Sequence, residues 1–309
     1  MRKLSITIVL MVVAASCAER DKHGSLLDTP TAGSITISVD ESLKPLIESE
    51  ISAFEGIYRN AHINVQYTGE REAIDALLKD TARLIVITRN LDERETNVLT
   101  TQQIVSKHLT IATDGVALIV NRENPDTLIR LEDLHQILSG QITKLKGITK
   151  RSASPPLEVV FDHPGSGIIR FLKDSLIASD TLPAYCFAVK GNAAVVDYVS
   201  KHSQAIGLID VSWISDRDDS TANTFLNSIR VAGISTDSTF YQPYQAYIAT
   251  QKYPLLRDVI MVSREARAGL ASGFMAFVAS DKGQRIVLKS GLVPATMPIR
   301  IVEVNHEPF

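Results

Sequence analysis

An α/β fold built on parallel strands is what this sequence predicts, and three observations predict it. From Ser34 onward, β-branched apolar segments alternate with segments of helical spacing. One of them, RLIVIT (residues 83–88), is an almost unbroken apolar run, as strands covered on both faces are. The chain has 309 residues, long enough for two lobes with real cores.

Each element follows from its own pattern. SITISV (34–39) alternates and reads as a strand. In ESLKPLIESEISAFEGIY (41–58), Leu43, Leu46, Ile47, Ile51 and Phe54 form one helical stripe. Pro45 is tolerated there only in the first turn. INVQYT (63–68) is a second strand, EAIDALLKD (72–80) a second helix and RLIVIT the third strand. DGVALIVN (114–121) is a further strand, followed by the break Asn124-Pro125. TLIRLEDLHQILSG (127–140) reads as a helix stopped by Gly140. LEVVFD (157–162) is a strand, GIIRFLKDSLI (167–177) and NAAVVDYVSKH (192–202) are helices, and AIGLIDV (205–211) is a strand. A polar stretch (216–221) precedes SIRVAGIS (228–235) and a mixed region to Tyr253. REARAGLASGFMAFVAS (264–280) and DKGQRIVLKSG (281–291) close the pattern as helices. No repeat of solenoid period interrupts it.

Composition narrows the function. Hydrophobic residues make up 45% and charged residues 22%, with a formal net charge of -3. No global basic field invites nucleic acid, so an anionic guest has to be captured locally. The first residues read as a targeting segment. Arg2 and Lys3 precede an apolar run, Leu4 to Ala15, that is too short to span a bilayer, and Ser16-Cys17 follows. AASC resembles the lipobox of bacterial lipoproteins, although the usual Leu three positions before the cysteine is missing. Residues 1–16 are therefore expected to be cleaved, leaving lipidated Cys17. Losing Arg2 and Lys3 takes the net charge from -3 to -5. Residues 17–33 read as a lipid anchor and tether. Cys186 is then the sole free thiol, and an intrachain disulfide is impossible.

The segment VVFDHPGSGIIRFLKDSL (159–176) raises the functional question. Two glycines and a serine sit where a strand hands over to a helix. On its own this is either a turn with Ser166 as N-cap or an anion site, where unpaired helix amides meet an oxyanion.

Three further segments, in the same order along the chain, resemble the phosphate-binding proteins of bacterial ABC importers. GNAAVVDYVSKHSQAIGLIDVSW (191–213) is similar to a helix–strand unit of that family. DGVALIVNRENP with LEDLHQILSGQIT is similar to its crossover strand and following helix. FMAFVASDKGQRIVLKSGLVP (274–294) is similar to its C-terminal helix pair, and GSG stands where the family has a Ser-Gly-Thr phosphate loop. The resemblance implies a two-lobed type II periplasmic-binding-protein fold with two hinge strands and a central ligand cleft. One lobe would be residues 34–114 with 233–309, and the other 115–232. It implies a monomeric, non-enzymatic solute-binding lipoprotein on the periplasmic side of the envelope. Such a protein captures inorganic phosphate or a similar oxyanion, without a cofactor, and delivers it to an ABC permease. A scaffold or surface lipoprotein that kept the fold and lost or changed its ligand is the alternative.

In such a fold the ligand meets strand-to-helix turns from both lobes. Four turns qualify: Val39 to Ser42, Thr68 to Glu70, Thr88 to Asn90, and Gly165 to Gly167. The expected ligand-binding residues are Asp40, Ser42, Thr68, Gly69, Thr88, Arg89, Asp162, Gly165, Ser166, Gly167 and Arg170. The sequence also departs from the family. Arg89 follows Thr88 where the family has Asp, and Asp162 stands where it has Arg, so acid and base are exchanged between the lobes. Arg89 offers a planar fork to two ligand oxygens, and Asp162 offers an acceptor to the proton of hydrogen phosphate. The other reading is that the two pair with each other across the cleft or sit on solvated loops. Ile168 removes the loop threonine's hydroxyl. Asp40, Glu41 and Glu70 bring carboxylates to turns that should hold an anion, which raises the cost of binding one. If they face the cleft, the ligand is cationic, zwitterionic or absent; if they serve only the helix dipole, the site is unaffected. Arg170 faces the cleft or solvent, with the cleft preferred.

Other chemistries lack their patterns. The seven histidines show no metal-ligand spacing. Ser166 is not in a nucleophile elbow, because Ile168 replaces the required glycine. No G-K-[ST] follows a glycine-rich loop. SDRDDST (215–221) lacks the terminal acid of a calcium loop. His163 lies in the key loop, as a ligand contact or simply exposed.

Overall fold

The computed structural model describes residues 28–144, 156–177, 181–216 and 218–298. The signal segment and residues 17–27, which include Cys17 and most of the tether, lie outside these residues. In chain order the first elements are β1 (Ala32–Asp40), a short 3₁₀ turn (Glu41–Leu43), α1 (Lys44–Ile57), β2 (Asn60–Thr68), α2 (Glu70–Leu78), β3 (Leu84–Ile87), α3 (Glu93–Thr101) and β4 (Lys107–Asn121). The middle contains β5 (Leu128–Arg130), α4 (Leu131–Leu138), β6 (Glu158–Phe161), α5 (Gly167–Leu176), β7 (Cys186–Ala188), α6 (Asn192–Lys201), β8 (Ala205–Asp210), α7 (Ser212–Ser215), α8 (Ser220–Ser228), β9 (Ile229–Val231) and β10 (Gly233–Ser235). The chain continues through α9 (Gln245–Ala249), β11 (Leu256–Ser263), α10 (Leu270–Ala279), α11 (Asp281–Lys289) and β12 (Val293–Pro294).

The architecture is the expected α/β type with two lobes. In the first lobe β1 lies between β2 and β3, all parallel, with Asp40 opposite Thr68 and Val39 opposite Val86. That register brings the C-terminal ends of three strands side by side. Side-chain alternation in β3 explains its apolar run: Leu84 and Val86 join one buried cluster, Ile85 and Ile87 the cluster on the other face. In the second lobe β6 lies between β7 and β8, again parallel. There Val159 and Phe161 pack to one side and Val160 to the other.

Two antiparallel strands cross between the lobes. Strand β4 pairs with β11 along Lys107–Gly115, then with β8 along Val116–Val120. Strand β11 runs back beside it, from Leu256 opposite Gly115 to Ser263 opposite Lys107, and pairs with β3 on its other edge. Strand β4 pairs in both sheets, while β11 pairs with β3 and β4 and is preceded by Tyr253 and Leu255, which pack in the second lobe's core.

Several elements differ from the sequence expectation. The helix expected over residues 127–140 begins at Leu131. Leu128–Arg130 forms β5, which alternates exposed, buried, exposed and pairs with β10. Gly140 ends the helical segment with φ +84°. SIRVAGIS divides into β9 and β10 around Ala232, the first paired with β4 and the second with β5. The helix expected from Arg264 begins at Leu270, because the Glu265 carboxylate accepts from the amides of Gly269 and Ser272 and caps the helix there. β11 and α3, with its Asp92–Glu95 capping box, were not anticipated. Ile234, Tyr253 and Leu255, expected beyond a boundary at residue 233, pack into the second lobe's core.

Candidate functional site

The parallel registers place four expected turns at one junction between the lobes. Asp40 ends β1 and is fully buried. Its Oδ1 accepts from the Ser42 amide at 2.9 Å, and its Oδ2 accepts from the Gly167 amide of the other lobe at 2.9 Å. Gly69 precedes α2. A Cβ there would lie 2.5 Å from His163 Nδ1 and 2.9 Å from the Gly165 carbonyl carbon, so the lobes touch at this point. The Thr68 hydroxyl turns back to Ser38 Oγ at 3.1 Å within its own lobe.

Glu70 opens α2 and is buried. Its Oε2 accepts from the Thr88 amide at 2.7 Å and the Thr88 hydroxyl at 2.6 Å, and its Oε1 accepts from Arg170 Nε at 2.6 Å. Arg170 also donates through Nη2 to the Thr88 hydroxyl and carbonyl oxygens, so it reaches across to the other lobe. Ser166 is the N-cap of α5, its Oγ accepting from the Ile168 amide at 3.1 Å. Gly165 donates to His163 Nδ1 at 3.0 Å. At Gly167 a Cβ would lie 2.5 Å from Asp40 Oδ2, 2.8 Å from Thr88 Oγ1 and 3.0 Å from Glu70 Oε2. Both lobes therefore converge on the face of this one glycine, and only the absence of a side chain permits it.

Asp40, Ser42, Gly69, Thr88, Gly165, Ser166, Gly167 and Arg170 thus gather at the junction. Arg89 stands at its rim, where its fork holds Glu95 through two bonds of 2.6 and 2.7 Å, and its Nε is 3.8 Å from Glu70. Asp162 is buried beneath the turn, with no hydrogen bond of ordinary geometry to either oxygen. Arg89 and Asp162 therefore do not pair with each other. A cavity of about 430 Å³ opens at the rim, lined by Arg71, Arg89, Glu95, Ser166 and Arg170 among others. The convergence point itself is filled by the oxygens of Asp40 and Glu70.

Two groups escaped the sequence reading. At the start of α6, the Asn192 amide and Nδ2 donate to Glu41 Oε2 at 3.1 and 2.6 Å. The preceding Gly191 has φ +89°, and a Cβ on it would come within 2.8 Å of Glu41. The glycine-asparagine pair at a helix start was the available signal. Between the crossing strands, Arg257 donates to Asp114 at 2.6 Å, Asp210 at 2.9 Å and Ser42 Oγ at 3.0 Å, all buried. Arg257 belongs to the strand that was missed.

Among the described residues, carboxyls outnumber guanidiniums at this junction. Asp40, Glu70, Asp114, Asp162 and Asp210 are buried there, against Arg257 and Arg170. Burial, with Glu70 alongside, raises the Asp40 carboxyl above its ordinary range. Burial, with Asp40 alongside, pushes Asp162 up to about 8, offset in part by the Ser166 hydroxyl. Burial and neighbouring Asp210 raise Asp114 well above the usual carboxylate range. Glu70 goes the other way. Burial opposes its charge, but Arg170 and the two Thr88 donors outweigh that and hold it below its ordinary value.

Comparison with known proteins agrees with this architecture. A family model described as a PBP superfamily domain matches residues 27–282. The phosphate-binding protein PstS of Pseudomonas aeruginosa PAO1 is 22% identical over 289 residues, covering 88% of this chain and 85% of its own. PstS of Bacillus subtilis 168 is 21% identical over 308 residues, 96% of each chain. Among solved structures, a putative phosphate ABC transporter substrate-binding protein with bound phosphate from Clostridium perfringens superposes with a TM-score of 0.72 at 23% identity, over 85% of this chain and all of that one. An ABC-type phosphate transport receptor from Vibrio cholerae gives 0.63 at 23% identity, also over 85% of this chain and all of that one. With its family model spanning both lobes and the crossing strands, the chain belongs to the PBP superfamily.

Proposed function

We propose that this chain is a solute-binding protein that captures inorganic phosphate, or a similar oxyanion, between its lobes for delivery to an ABC permease. It catalyses no reaction. One observation carries the reading: amides of strand-to-helix turns, Gly167 at a helix start in one lobe and Thr88 just after a strand in the other, already grip carboxylate oxygens at a common point. Donors that hold two carboxylates at 2.7–2.9 Å suit the oxygens of phosphate equally. The groups proposed to hold the ligand are those of Ser42, Gly69, Thr88, Gly165, Ser166, Gly167 and Arg170; Asp40 now fills the Gly167 donor and would give way to the ligand, Thr68 supports the turn from within its own lobe, and Arg89 and Asp162 stand in outer positions. The names of the PstS relatives favour phosphate over other oxyanions.

The protein would act as a monomer, lipid-anchored through Cys17 on the periplasmic side of the envelope. Its lobes are residues 34–114 with the C-terminal part, and the middle of the chain. The packing of Ile234, Tyr253 and Leu255 favours a return to the first lobe in β11. Among the described residues no helix is long and apolar enough to cross a membrane.

A second reading, that of a scaffold lipoprotein with a lost or changed ligand, is favoured by Asp40 and Glu70 occupying the donors themselves. Titration calorimetry with phosphate, sulfate and molybdate separates the two. Heat with phosphate is the expected result. No heat with any anion, from a chain that melts cooperatively, rejects oxyanion capture and leaves the scaffold.

A further inference from the structure

We propose that Asp40, Glu41 and Glu70 form a built-in anion latch: carboxylates of the first lobe occupy the anion-binding groups of the second and hold the lobes closed with no ligand present. The displacement of this latch by a guest rests on the oxyanion reading above; the closure itself does not.

Three carboxylates reach across the junction in the same sense. Asp40 accepts from the Gly167 amide, Glu41 from the Asn192 amide and side chain, and Glu70 from Arg170. The first two satisfy the starts of α5 and α6, where unpaired amides and the helix dipole attract negative charge. A binding protein of this architecture closes when its ligand touches both halves. Here the chain's own carboxylates supply that bridging contact. Further contacts follow the same seam: Trp213 Nε1 donates to the Ser42 carbonyl at 2.8 Å, and the Arg71 amide lies 3.5 Å from the Gly165 carbonyl.

Guest and latch are mutually exclusive. The point facing Gly167 lies 2.5–3.0 Å from Asp40 Oδ2, Thr88 Oγ1 and Glu70 Oε2. A phosphate oxygen taking the Gly167 or Thr88 amide would overlap a carboxylate already bonded there. The guest therefore has to displace Asp40, Glu70 or both. Its apparent affinity is lowered by the fraction of molecules whose latch is open.

The test uses small-angle scattering, amide hydrogen exchange and phosphate calorimetry on the full chain. Without phosphate, the wild type is expected to be as compact as with it, and the Gly167 and Asn192 amides to exchange as slowly as core strand amides. Asp40→Ala and Glu41→Ala, made separately, are expected to enlarge the phosphate-free radius of gyration, and Asp40→Ala to bind phosphate at least tenfold more tightly. A wild type that expands without phosphate, or fast exchange at Gly167 and Asn192, overturns the latch. So does an Asp40→Ala that folds but stays as compact as wild type. If a variant does not fold, the exchange measurement on the wild type decides alone. If neither wild type nor Asp40→Ala binds phosphate while the closed and opened states are seen as expected, the latch stands and the phosphate reading falls.

Discussion

Gly167→Ala tests the convergence of the lobes most directly. The added methyl would sit 2.5 Å from Asp40 Oδ2, 2.8 Å from Thr88 Oγ1 and 3.0 Å from Glu70 Oε2. None of these atoms is free to swing away. Asp40 is held by Ser42, Thr88 by Glu70 and Arg170, and Glu70 by Arg170. The lobes must part, and the bond from the Gly167 amide to Asp40 is lost. A hydrogen bond to a charged group contributes about 1.5–3 kcal/mol, and forcing a methyl into a packed site costs about 1–3 kcal/mol. Alanine's better helix propensity returns up to about 1 kcal/mol. The net loss is about 1.5–6 kcal/mol, divided between lobe opening and global unfolding. Urea titration reads the second. Emission of Trp213, the chain's only tryptophan, reads the first, because its indole is bonded across the seam to Ser42. Gly56→Ala is the control: nothing lies within 4 Å of its added Cβ, so it should be neutral or stabilise by about 0.5–1 kcal/mol. If Gly167→Ala leaves both the urea midpoint and the emission maximum at wild-type values, the lobes do not meet at this glycine.

The remaining predictions follow from the charges. Asp162 has a raised carboxyl, titrating at about 8 in the fold. The native state therefore holds a proton that the unfolded chain releases near the ordinary carboxylate range, and this stabilises the fold at low pH and is lost as pH rises toward 8. Asp162→Asn should remove that slope, gaining on wild type by no more than about 1.4 kcal/mol per pH unit between pH 4 and 8 in urea titrations; parallel pH profiles would contradict it. Arg257→Leu strands buried Asp114 and Asp210 without their cation and should cost about 3–5 kcal/mol in the same assay, whereas a loss below about 1 kcal/mol would show that this ion cluster does not hold the crossing strands together. Arg170→Ala should weaken phosphate binding at least tenfold by calorimetry, and Arg89→Ala should change it little, because Glu95 holds the Arg89 fork. The reverse order would return the ligand to Arg89.

The sequence made the strands of both sheets and the turns at their C-terminal ends legible, because those depend on local alternation and on glycine and serine at helix starts. The register of β1 with β2 and β3 then brings Asp40, Thr68 and Thr88 together with no further information. Strand β11 was illegible for a physical reason. Arg257 and Asp258 open it with charges, and Arg257 is neutralised only by Asp114 and Asp210, distant in sequence. Local pattern does not reveal a charge whose partners come from other strands. The roles of Glu41 and Glu70 were undecidable for a related reason. An acid in a first turn serves its own helix or reaches a foreign one, and only the contact between lobes distinguishes the two.

That distinction bears on the exchange of acid and base between the lobes. Asp162 sits where the resemblance expected a cation, and among the described residues none forms an ion pair with this buried carboxyl. Arg89 sits where an acid was expected, and it faces outward to Glu95. The exchange thus does not simply carry one ion pair from one lobe to the other. The positive charge that serves the junction comes from Arg170, one turn into α5, and from Arg257 on a crossing strand. Both are tied to carboxylates of the chain itself. A guest anion therefore finds amides and a guanidinium in suitable geometry but meets surplus negative charge around them. Protons lower that surplus: with Asp40 and Asp162 both raised, each proton they keep removes one charge that repels the guest. Oxyanion capture at this junction should accordingly strengthen as pH falls from 8 toward 6, where inorganic phosphate itself also sheds charge; sulfate, which keeps its charge over that range, separates the protein's titration from the ligand's.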